Sequence, residues 1–133
     1  MKKTILTIGI FFLTQQAYPN EWIAVGAQAK LPHTAQLELK LWRYVKEENK
    51  SKFEPKESYR FQYQFLSDTV VLIHALCYPS PQKQDDPNNF RGPTTAELRK
   101  SVYQVKDGGT CFFKLKYDLK KASFNSLNVH GDA

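Results

Sequence analysis

The chain is poor in the residues that build most recognisable active sites. Among 133 residues it has two cysteines, three histidines, two tryptophans and one methionine, which is Met1. His33, His74 and His130 have neither a second histidine nor a carboxylate at metal-ligand spacing, so no metal site and no cofactor are expected. No serine sits in a nucleophile elbow or a lactamase-type serine motif. Gly108-Gly109 lacks the strand-loop-helix context and the Lys-Ser/Thr pair of a phosphate loop, and reads as a hairpin turn. There is no arginine stripe, so nucleic acid is not an expected partner. No apolar run reaches the ~20 residues of a membrane span, and neither a repeat nor a second domain is visible. These absences favour a non-enzymatic reading. Asp68 and His74 are the one acid and imidazole that pair as a hydrolase candidate.

What the chain does have is an alternating stretch. Tyr59, Phe61, Tyr63 and Phe65 occupy odd positions and Arg60, Gln62 and Gln64 the even ones, the period of a half-buried strand with one face of rings. Leu66 to Thr69 supplies a turn, and Val70 to Cys77 follows as an apolar strand covered on both faces, broken only by His74. A second cysteine strand, Thr110 to Tyr117, puts Cys111, Phe113, Leu115 and Tyr117 on one side and Lys114 and Lys116 on the other. Each cysteine lies among the apolar residues of its strand, so a Cys77–Cys111 disulfide is expected. Closing a loop of about 34 residues contributes roughly 3–4 kcal/mol.

Residues 1–17 read as a secretory signal peptide: two lysines, an apolar run from Ile5 to Leu13, then a polar approach to Ala17. Residues 18–133 then form one exported domain, periplasmic rather than extracellular, in a compartment where two cysteines pair. The formal charge of +6, less Lys2 and Lys3, leaves +4, a mild excess spread over a solvated surface.

Along the rest of the chain, Asn20-Glu21 is placed to open a helix that ends near Leu31-Pro32. Thr34 to Glu48 fits both an alternating strand and a helical stripe, and its helix formers favour helix. Pro79 to Pro93, with four prolines, is a long loop; Thr94 to Glu97 is a capping box opening a short helix through Lys100. Ser101 to Val105 and Ala122 to Val129 read as strands flanking the cysteine strand. The fold class is therefore α+β: N-terminal helix or helices packed on a curved antiparallel sheet of four or five strands, a roll similar to cystatin-like and NTF2-like domains, with one disulfide.

LIHALC (72–77), DGGTCFFKLKYD (107–118) and the ending NVHGDA (128–133) resemble a group of small exported proteobacterial proteins of unknown function. These pair an A-L-C strand with a D-G-G-x-C-F/Y-F strand and end on N-x-G-x-A. The resemblance implies a shared single-domain disulfide fold and no activity. Two binding surfaces are expected from the residues themselves. Phe90 and Arg91 on the long loop form an anchor for a protein partner such as an envelope-directed enzyme, in an inhibitor or immunity role. The ring row Tyr59, Phe61, Tyr63 and Phe65 offers, as an alternative, the lining of a pocket for a small apolar ligand, with solid core as the competing reading.

Overall fold

A computed structural model describes residues 19–78, 92–104 and 108–129. α1 spans Thr34–Glu48 and buries Leu37, Leu41, Trp42 and Val45 along one stripe. The rival strand pattern fails because Leu39, which it needs inside, is 68% exposed. β2 (Arg60–Phe65) and β3 (Val70–Leu76) form the expected hairpin, with Phe61 opposite Ala75 and Tyr63 opposite Ile73. The Ser67 hydroxyl shapes its turn by accepting from the amides of Thr69 and Val70 at 3.3 and 3.1 Å. α2 is Thr95–Lys100, and the Thr94 hydroxyl caps it by accepting from the Glu97 amide at 3.1 Å. β4 (Phe112–Asp118) runs antiparallel to β3, and β5 (Ser123–Val129) antiparallel to β4.

Three expectations need correction. The segment expected to be the first helix holds instead β1 (Trp22–Ala24), which pairs parallel with β2, so the sheet is mixed and not antiparallel throughout. Its residues are apolar on both sides: Trp22 stacks on Phe61 at 4.5 Å towards α1, while Ile23 packs with Leu76, Leu98 and Phe112 on the opposite face. A helix cannot bury both sets at once, and a strand can. Asn20 caps nothing; its carboxamide donates to Glu38 Oε2 and to the Lys56 carbonyl. Residues 101–104 are not a strand, so Gly108-Gly109 closes no hairpin between them and β4. Gly109, at φ 53°, begins a 3₁₀ turn that leads into β4. The third correction is that two even positions of β2 do not face solvent: Arg60 is 0% and Gln62 1% exposed.

The fold is thus α+β, a five-stranded mixed sheet in the order β1-β2-β3-β4-β5 with α1 on one face and the α2 segment on the other. α1 is the crossover that a parallel β1–β2 pair requires. Under it, Trp42 meets Tyr59, Phe61 and Phe113 edge-on, at ring separations of 4.9, 6.3 and 5.7 Å. The Cys77–Cys111 disulfide is present, at a Cα separation of 4.9 Å, and clips the ends of β3 and β4. Cys77→Ser and Cys111→Ser are expected to lower stability by similar amounts, roughly 3–4 kcal/mol each, with the double variant no worse than either single one. Additive losses in thermal unfolding would show that the two are not partners.

Candidate functional site

The residues singled out in the sequence fall in different places. The ring row is core: Tyr59, Phe61 and Tyr63 lie buried beneath α1, Phe65 is half-buried at its margin, and Trp42 fills the concavity they would have lined. Asp68 is exposed in the β2–β3 turn, whereas His74 is buried in register with Gln62 and Lys114. From Val70 to His74 the strand alone covers ~13 Å, so the hairpin does not bring acid and imidazole together. His33 is the exposed residue before α1. Phe90, Arg91 and His130 lie outside the described residues, as does the expected leader.

What the structure does build lies at the end of the sheet that carries the disulfide. Arg60 and Gln62 point away from α1 into the segment 93–103. The Arg60 guanidinium donates through Nη1 to the Pro93 carbonyl at 2.7 Å and through Nη2 to Thr95 Oγ1 at 3.0 Å. Thr95 in turn donates to Glu21 Oε2 at 2.8 Å, and Glu21 lies 3.8 Å from Arg60 as its counter-charge. Burial pulls the Arg60 pKa below its ordinary value, and Glu21 opposes that shift. Gln62 uses its whole carboxamide: Nε2 donates to the Leu98 and Ser101 carbonyls at 2.8 and 2.9 Å, and Oε1 accepts from the Tyr103 amide at 2.9 Å. A six-residue helix is far below the length that is stable alone, so these buried side chains hold it in place.

The same end carries a group of rings. Tyr78, just after the disulfide, packs on Phe112 at 5.7 Å and on Tyr103 at 6.0 Å, and Tyr103 stacks on Phe112 at 6.0 Å. Phe112 is buried; the two tyrosines are half-exposed. Gly92, at φ 112°, sits against the Tyr78 ring, where a Cβ would come within 2.9 Å of the ring carbon. Tyr78 and Gly92 therefore lie against each other on the ring group. Burial raises the Tyr103 pKa, and neighbouring Tyr78 adds to the rise.

Sequence reading missed this site because its parts are distant in sequence and the signal is indirect. Polar residues in the even positions of β2 look like a solvated face until another segment covers them. Tyr103 reads as part of a strand, Phe112 falls on the second cysteine strand and Tyr78 just past the first, and nothing local says that they converge.

Two predictions follow from the buried hydroxyl and the buried amide. Tyr59 donates to the Thr110 carbonyl at 2.6 Å and accepts from the Glu54 amide at 3.2 Å, and burial pushes its pKa up from 10.0 to about 12. A phenol whose pKa is raised on folding stabilises the protein fully below pH 10 and progressively less as pH climbs towards 12. The stability gap between the native chain and Tyr59→Phe, read by urea unfolding, is therefore constant below pH 10 and narrows above it. A gap unchanged across that range would contradict the assignment. Gln62→Leu strands three backbone groups and is expected to cost about 2–4 kcal/mol, with trypsin cleavage after Arg99 and Lys100 sharply accelerated. Unchanged stability and cleavage would show that the carboxamide does not hold the segment. The chain matches no known family model, no curated protein and no solved structure, so function is reasoned from these residues.

Proposed function

We propose that this protein is an exported, periplasmic, non-enzymatic binding domain that covers part of an envelope-directed enzyme, as an inhibitor or immunity protein does. Export rests on the leader-like residues 1–17 together with the Cys77–Cys111 bridge. A cystatin-like roll is the fold reading that accompanies it, since one long helix crosses a sheet whose last four strands run in hairpin order. The parallel β1 is the departure.

The observation that carries the reading is the Tyr78–Tyr103–Phe112 cluster over the disulfide. Tyrosines with one face packed and one face in solvent are rigid, amphipathic anchors that lose little entropy when a partner covers them. Each is fixed from behind: Tyr78 follows the bridged Cys77, and the Tyr103 amide is bonded to Gln62.

The test is affinity capture from envelope extract with the oxidised domain from Tyr18 to Ala133 and with its Tyr78→Ser/Tyr103→Ser double variant. A protein retained by the native chain and lost about tenfold or more by the variant, at matched fold stability, is the expected result. Equal retention by both, or none by the native chain, would defeat the proposal.

A further inference from the structure

Among the described residues β5 is an outer strand of the sheet, and at its middle it leaves the ladder. Lys116 pairs with Asn125 and Lys114 with Asn128, so Leu115 alone faces two residues, Ser126 and Leu127. This is a bulge, which interrupts the hydrogen bonds that would otherwise tie the strand down. Ser126 there takes the left-handed conformation, at φ 61°, which a residue with a Cβ adopts at a cost. Asn125 and Ser126 are both exposed. Their side chains meet: the Ser126 hydroxyl donates to Asn125 Oδ1 at 2.7 Å.

That contact suits a reaction within the chain. The carbonyl carbon of an asparagine side chain is open to attack by the backbone nitrogen of the following residue. The negative charge formed in that step develops on Oδ1, the atom to which Ser126 Oγ already donates, so the hydroxyl acts as an oxyanion donor. A small following side chain leaves the path of attack clear, and Asn125 is the only asparagine of the chain followed by glycine or serine. Asn49 supplies the contrast. Its Oδ1 also accepts a hydrogen bond, from the Ser51 amide at 2.8 Å, but the residue that follows it is Lys50 and no bulge frees the backbone.

We propose that Asn125 is a site of spontaneous deamidation, directed there by the bulge and by the Ser126 hydroxyl. The Ser126 amide nitrogen gives its proton to solvent and bonds to Asn125 Cγ. The bond from Cγ to Nδ2 breaks, and Nδ2 takes up a proton and leaves as ammonia. Water then opens the five-membered imide at either carbonyl, giving aspartate or isoaspartate. Either product sets a carboxylate opposite Lys116, where a cross-strand pair of unlike charge is favourable. The extra main-chain carbon of isoaspartate falls where β5 already carries a surplus residue, so the fold accepts it. The modification involves neither the tyrosine platform nor any partner.

The test needs only the protein and water. The oxidised domain from Tyr18 to Ala133 is held at mildly alkaline pH, sampled over days and mapped by peptide mass spectrometry. Asn125 is expected to convert ahead of every other asparagine, with both aspartate and isoaspartate formed. Ser126→Ala keeps a small side chain but removes the donor, and is expected to slow the conversion about two- to tenfold, the worth of one exposed hydrogen bond. Asn125→Asp, the finished product, is expected to unfold in urea close to the native domain. An unchanged Asn125, earlier conversion at another asparagine, or equal rates for the native domain and Ser126→Ala at matched stability would each overturn the proposal.

Discussion

β2 is buried on both faces while its sequence is apolar on only one, and the rest of the molecule follows from that constraint. The odd positions are satisfied simply, by rings under α1. The even positions bring a guanidinium and a carboxamide into the interior, where each donor and acceptor needs a partner or destabilises the fold. The partners come from residues 93–103, which are drawn over the sheet and fixed there. A segment too short to fold by itself becomes part of the core, and with it the tyrosine platform.

The satisfaction is incomplete at one point. Arg60 Nε and Glu21 Oε1 are both buried and have no hydrogen-bond partner among the described residues. A partly buried ion pair at 3.8 Å is poor evidence of stability, since desolvation offsets much of the attraction. Its effect here is positional: the guanidinium fixes the backbone at Pro93, just ahead of α2. The bridged cysteines do the same for the chain that leaves after β3. The ion pair thus contributes more to geometry than to stability, whereas the bridge contributes to both.

Much of the fold was legible in the sequence. The hairpin, the helix at 34–48, the capped short helix and the disulfide follow from period, capping chemistry and the apolar setting of each cysteine. These signals are local, so they survive without knowledge of the rest of the chain. β1 was not legible, because three residues make no period and the strand exists only by pairing with β2. The segment 101–104 shows the same limit in another form. It looks like a strand, but the partner that meets the Tyr103 amide is a side-chain carboxamide rather than a neighbouring backbone. Of the candidate site, the anchor tyrosines carried no mark of their own; the ring row did, and it turned out to be core.

Native-state hydrogen exchange on the unmodified protein tests the central claim most directly. The amides of Gly26, Leu98 and Tyr103 bond respectively to the Arg99 carbonyl, the Thr94 carbonyl and Gln62 Oε1. If residues 93–103 belong to the core, these amides open with free energies within about 1 kcal/mol of those at the centre of β3 and β4. Exchange at free energies several kcal/mol lower would mean that the α2 segment rests loosely on the sheet, and that the platform is not the rigid base described for it.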